Sequence, residues 1–312
     1  MRRLLPTGIA LTLALTACEA PQTSATDVEA SPALTAAMDA GAPNPLDAAN
    51  ASLEVAGSDY RIAYVEYYTD PASGQSGNII IANNRGNKRL SLDFIPDDPR
   101  RGGVDGDPNT IDFWIDQTQG ATKSGLSTAA TSGAIGRAMT TWDKEQCSEL
   151  NANLVGIGVD IGLVQNILGF GGGPAVSDVM HAGWLPGAFF DFLAPGGSNF
   201  ILGATFTLTF VSGDLDGDGA ADLAAREIYY NDAFSWADDG ASDIDVETVA
   251  LHEAGHGLSQ AHFGKIAINP NSGKVTFSPR AVMNASYSGV QRSLSGTDGG
   301  GHCGSWGNWP QN

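Results

Sequence analysis

Chemistry is concentrated in His252-Glu253-Ala254-Gly255-His256 and in His262, six residues further on. On a helix, residues four apart lie one turn above each other, so His252 and His256 can aim ring nitrogens at one ion about 2 Å away. Glu253 is rotated off that axis, where it can reach a water on the ion without binding the ion itself, as a general base requires. Gly257 lets the helix end and turn back, so that His262 can supply a third nitrogen and leave a fourth position open to water. The other source of a third ligand would be a downstream glutamate. None follows Glu253, and Asp298 is the sole distant carboxylate. A surface helix with scattered histidines is the alternative reading, but only five histidines occur in the chain and three of them fall into this pattern. The ion implied is zinc, and the chemistry is hydrolysis by an activated water.

A second cation is implied by Asp214-Leu215-Asp216-Gly217-Asp218-Gly219-Ala220-Ala221-Asp222. Carboxylates fall at loop positions one, three, five and nine, glycine at six, and Ala220 at seven, where a backbone carbonyl serves, as in calcium loops of the EF-hand type. The usual closing glutamate is missing: Ala225 stands at position twelve and Glu227 comes two residues late. The flanks, 206–211 and 228–230, read as strands rather than paired helices. The expectation is a structural calcium in a strand-connecting loop, bracing the strands beside the histidines; a solvated acidic turn is the alternative.

The elements that must position these groups are legible more coarsely. Residues 111–115 alternate like a strand, and Ile135, Ala138, Met139 and Trp142 recur at helical spacing over 134–142, suiting a helix packed behind a sheet. Further strands are expected over 154–161 and 179–184. The histidine helix should begin near Ser242 or Asp243 as cap, with Asp245 and Glu247 in its first turn. Residues 60–68 and 78–94 read as strands of an N-terminal segment, 57–108, that is either a propeptide or a small β element set before a catalytic unit over 109–312. The glycine-rich run around His302 is expected as a surface loop pinned by Cys303.

The two ends of the composition bound the setting. Arg2 and Arg3, an apolar run over 4–15 and Leu15-Thr16-Ala17-Cys18 have the parts of an export signal over 1–17. The last four resemble the bacterial lipobox, which implies acylation of Cys18, and Glu19 implies retention at the outer membrane; an ordinary secretory signal is the alternative. Residues 18–56, rich in Ala, Pro, Thr, Ser and Asp, read as a disordered tether. Export makes a disulfide between the two other cysteines, Cys147 and Cys303, plausible, with free buried thiols as the alternative. Loss of Arg2 and Arg3 takes the formal charge from −19 to −21, which disfavours nucleic acid as a partner. The chain is expected as a monomer touching the membrane through the lipid alone.

The stretch from Val249 to His262 resembles the metzincin zinc peptidases, most closely the matrixins, whose pattern is H-E-x-x-H-x-x-G-x-x-H. Ser259 stands where the family has glycine, at a turn needing left-handed backbone, so strain is expected there. Ala281-Val282-Met283-Asn284-Ala285-Ser286-Tyr287 resembles the family's methionine turn, which implies Met283 as the floor of the site and Tyr287 as a specificity-pocket wall. Asp191-Phe192-Leu193-Ala194-Pro195-Gly196-Gly197 followed by Leu202-Gly203-Ala204-Thr205 is similar to the matrixin segment leading into the strand that pairs with substrate. The family's structural zinc is not expected, since Ala204 takes a histidine position and only His181 is near. The resemblance implies an α+β fold with a twisted mixed sheet backed by a helix, and a zinc endopeptidase acting on protein or peptide extended along 202–204. A non-catalytic zinc- and calcium-stabilised adhesion or binding protein is the rival; Glu253 and an open metal position have no use in it.

Overall fold

The computed structural model describes residues 44–86, 89–91, 93–101, 107–157, 160–174, 177–269 and 275–311. The proposed signal, Cys18 and most of the tether lie outside the described residues. The fold is mixed α+β, built on one seven-stranded sheet: β1 (Tyr60–Thr69), β2 (Asn78–Ile81), β3 (Ile111–Asp116), β4 (Ala152–Ile157), β5 (Val179–Leu185), β6 (Ile201–Phe210) and β7 (Leu223–Asn231). Across the sheet the order is β2-β1-β6-β7-β5-β3-β4. Strands β3, β4, β5 and β7 are parallel, whereas β6 runs antiparallel to both β7 and β1, and β2 antiparallel to β1. Two short pairs, β8 (Trp236–Ala237) with β9 (Ile244–Asp245) and β10 (Lys265–Ile268) with β11 (Val275–Ser278), lie outside it.

Helices cover both faces, which is why β3, β5, β6 and β7 are buried along their whole lengths rather than alternately. On one face α1 (Pro45–Val55), α3 (Leu163–Ile167) and α4 (Gly187–Leu193) pack Leu46, Leu53, Val164, Phe189 and Phe190 against Val65, Phe206 and Tyr229. On the other, α2 (Thr128–Asp143), α5 (Val246–Gly257) and α6 (Gly296–Trp306) pack Met139, Trp142, Leu251 and Trp306 against Phe113, Val179 and Ile228. Helix α2 carries Ile135, Ala138, Met139 and Trp142 buried on its inner stripe, as their spacing predicts.

Three sequence expectations are corrected. Residues 45–55 are a helix rather than tether: Asn44 accepts from the Leu46 amide at 3.0 Å, Pro45 opens the first turn, and Leu46, Ala49 and Leu53 are buried on the sheet. Composition averaged over a longer window hides that stripe. Within segment 57–108, β1 and β2 join the sheet beside β6, and among the described residues of 78–94 the strand is confined to Asn78–Ile81, shorter than expected. The glycine-rich run around His302 is helix α6, made possible by a capping box of Ser295 and Asp298 and by the burial of His302 and Trp306. The structure joins Cys147 to Cys303, tying α6 to the segment after α2.

Candidate metal centre

Helix α5 carries the first two histidines. Its cap is Asp245, two to three residues later than expected: the carboxylate accepts from the Thr248 amide at 2.9 Å and is held by Arg292 at 2.5 Å. The helix lies wholly buried, so packing rather than amphipathic patterning fixes it. Gly255 faces the methionine turn, where a methyl group would strike Met283 Sδ and come within 2.8 Å of Trp142. Gly257 is still helical, and the reversal that brings His262 round is made at Ser259, with φ of 66°. The Ser259 hydroxyl accepts from Arg226 at 3.0 Å, one contact that offsets the left-handed strain.

The three Nε2 atoms of His252, His256 and His262 form an equilateral triangle with 3.1 Å sides. His252 Nδ1 lies 2.7 Å from the Val282 carbonyl, and His256 Nδ1 2.7 Å from the Gln260 carbonyl. A carbonyl only accepts, so both Nδ1 atoms carry the proton and both Nε2 atoms present lone pairs to each other. Lone pairs converging at that distance repel unless a metal ion or a proton lies between them, and the three nitrogens are grouped closely enough to hold a metal. Three corners of a tetrahedron with bonds of 2.0–2.1 Å would be spaced about 3.3 Å apart, close to the triangle found. Burial and the neighbouring imidazoles hold His252 and His262 well below the ordinary histidine pKa, so both rings are neutral and able to donate a lone pair. Burial pulls His256 down as well, but Glu66 beside its Nδ1 at 3.1 Å more than reverses this.

Glu253 is buried between α5 and β6. Gly203 leaves room for it, since a methyl there would lie 2.7 Å from Glu253 Oε1. The Thr205 hydroxyl donates to Oε2 at 2.6 Å, while Oε1 has no partner among the described residues. Burial pushes the carboxyl up to about 7, against the opposing pull of His256 and Thr205.

Met283 is fully buried beneath α5. Its turn is pinned by Asp298, whose carboxylate accepts from the Val282 and Met283 amides at 3.0 and 3.1 Å. Tyr287 accepts from the Asp245 amide at 3.3 Å and lines a cavity of about 470 Å³ with Pro71, Val275 and Ser288.

Several of these contacts are invisible in the sequence. Asp298, which the sequence offers only as a stray carboxylate, braces the methionine turn from α6. Glu66 and Tyr68, two residues apart on β1 and so on one face, reach the two helix histidines; the Tyr68 ring stacks on His252 with centroids 3.7 Å apart. Alternation in 60–68 signals a strand but not its neighbour. β6, along which the resemblance places an extended substrate at 202–204, is paired on both edges here, Gly203 facing Tyr68 on one side and Tyr230 on the other.

The acidic loop connects β6 and β7 and gathers Asp214, Asp216 and Asp218, with carboxylate oxygens within 4.8 Å of one another. Asp222 stands apart, buried against Arg100 and accepting from the Leu215 amide at 3.1 Å. Ala220 donates its amide to Asp218 at 2.6 Å. Glu227 lies in β7, where its carboxylate accepts from the Leu163 and Val164 amides opening α3, which removes it from the loop. His181 pairs with Tyr230 at 2.7 Å, and His302 with Ser148 at 2.7 Å; neither joins the histidine triangle. The chain matches no protein-family model and no curated protein.

Proposed function

We propose that the chain is a zinc-dependent endopeptidase of the metzincin type, similar to the matrixins, with His252, His256 and His262 as ligands and Glu253 as general base. The observation that carries the reading is the triangle of Nε2 lone pairs with a carboxylate of raised pKa beside it. Zinc, when bound there, supplies Lewis-acid polarisation of a carbonyl and a lowered pKa for water. Glu253 does the proton work. With Oε2 held by Thr205, Oε1 is the atom that takes a proton from the attacking water and later gives it to the leaving amine, and a carboxyl near 7 can do both near neutral pH. Val282 O and Gln260 O keep the imidazoles turned so that Nε2 faces inward. Met283 and Asp298 hold the floor, and Tyr287 walls a specificity pocket.

The proposal extends to calcium at Asp214, Asp216 and Asp218, to acylation at Cys18, and to an outer-membrane location with protein or peptide as substrate. Digestion of a peptide library by the purified protein, with and without a chelator, tests it: chelator-sensitive cleavage is expected, and none under any metal condition would sink it. Thermal melts with and without a calcium-selective chelator test the loop. The rival, a non-catalytic zinc- and calcium-stabilised adhesion or binding protein, draws on one observation, the complete burial of Glu253.

A further inference from the structure

Arg226, on β7, is 1% exposed, and a guanidinium keeps its positive charge wherever it is placed. Its Nη2 donates to Ser259 Oγ at 3.0 Å, while Nε and Nη1 are buried with no partner among the described residues. The carboxylates beside this part of β7 are engaged by other guanidinium groups. Asp178, whose carbonyl accepts from the Arg226 amide, is held by Arg101 at 2.8 Å, and Asp222 is bound to Arg100. The end of α5 does not supply the acceptors either. Ala254 O and Gly255 O accept from the Leu258 and Gln260 amides, His256 O from the Ser259 amide, and Leu258 O from Trp306 Nε1. The Phe94 ring lies 6.0 Å from the Arg226 guanidinium carbon and is shared with Arg101 at 5.3 Å. Thr207, on β6, is the cross-strand partner of Arg226, so the two side chains leave the same face of the sheet. Its hydroxyl is also buried without a partner among the described residues. Val179 continues the row on β5 and meets Gly257, which places the row beneath the end of α5.

A buried charge without compensation and neighbouring donors without acceptors are both costly, and one group relieves both: an acceptor that carries negative charge. We propose that Arg226 and Thr207 bind one small monovalent anion of the halide class, chloride in ordinary media, beneath the last turn of α5. One negative charge balances the guanidinium, whereas a divalent ion would leave an excess buried charge behind. Both residues are at most 2% exposed, which shuts out a carboxylate or phosphate carried on a larger molecule. The ion steadies the guanidinium that holds Ser259, and with it the left-handed turn that brings His262 round. The site stands whether or not the histidines serve a peptidase.

The test follows urea unfolding of the full-length, zinc-loaded protein and of its Arg226→Met variant as chloride replaces gluconate at constant ionic strength. A ligand bound only by the folded chain raises the folded-to-unfolded ratio about tenfold for each tenfold rise in its concentration above its dissociation constant. From about 0.1 to about 1 M chloride the wild-type midpoint should therefore rise by about 0.5 M urea more than that of Arg226→Met. Thr207→Val keeps the shape of the side chain, removes one donor to the ion, and should need about tenfold more chloride for the same rise. It serves if Arg226→Met does not fold. Crystals grown in bromide should show an anomalous peak in hydrogen-bond contact with Arg226 and Thr207. A chloride response no larger in wild type than in either variant, or a water molecule in place of the bromide peak, overturns the site.

Discussion

Asp298→Ala should damage the metal site from a distance, and three hydrogen bonds set the size of the effect. The buried carboxylate accepts from the Val282 amide at 3.0 Å, the Met283 amide at 3.1 Å and the Ser295 amide at 2.8 Å. Alanine leaves the first two donors buried without an acceptor, at about 1–3 kcal/mol each, and opens the capping box of α6, at about 1 kcal/mol. A loss of about 3–7 kcal/mol is therefore expected. Ser295→Ala removes only the cap, so its cost should stay near 1 kcal/mol, and the difference isolates the methionine turn. With a urea slope of about 3 kcal/mol per molar, the midpoint should fall by about 1–2.3 M for Asp298→Ala and about 0.3 M for Ser295→Ala. The same peptide segment orients His252, whose Nδ1 donates to Val282 O at 2.7 Å. A frayed turn should then weaken zinc by about tenfold to a hundredfold in a competition titration. Equal midpoints for the two variants, or zinc affinity unchanged in Asp298→Ala, would refute the chain of contacts from α6 through Val282 to His252.

Acid should act partly through His181, which burial lowers to about 3. In the unfolded chain this group binds its proton below about 6.5, so between that pH and 3 the unfolded state holds the extra proton and stability falls as pH drops. In His181→Phe the slope of stability against pH should be shallower by about 1.4 kcal/mol per unit in that window; parallel curves would show that the imidazole does not stay neutral. Ser259→Val places a β-branched residue at φ of 66° and deletes the bond from Arg226, and should cost about 2–3 kcal/mol in denaturant unfolding. A cost under about 1 kcal/mol would mean that the turn carrying His262 is not fixed in the left-handed region.

The parts of this protein legible in its sequence are those whose geometry is local. Histidines four apart on a helix, the turn at Met283 and the inner stripe of α2 depend on a few consecutive residues, and so does the left-handed Ser259. Helix α1 was equally local: Asn44, Pro45 and the stripe of Leu46, Ala49 and Leu53 spell a capped helix, hidden by the low-complexity run before it. Other features depend on what lies opposite. Nothing in residues 60–69 says that the strand inserts beside β6 and reaches His252 and His256, because strand pairing partners are chosen by the whole sheet. Asp298 and Trp306 likewise act across the fold, the indole donating to Leu258 O at 2.8 Å and so steadying the end of α5. Local propensity misjudged α6, whose glycines cost helix stability that the capping box, the link from Cys303 to Cys147 and two buried rings offset.

The claim that Glu253 is the base of a zinc peptidase is tested most directly by Glu253→Gln, which keeps the shape of the side chain. Zinc content and the rate of peptide cleavage should be measured on the same preparation of wild type and of the Gln variant. One zinc per chain is expected in each, with cleavage lower by at least about a hundredfold in the Gln form. Cleavage retained within a few-fold, with zinc bound, would contradict it.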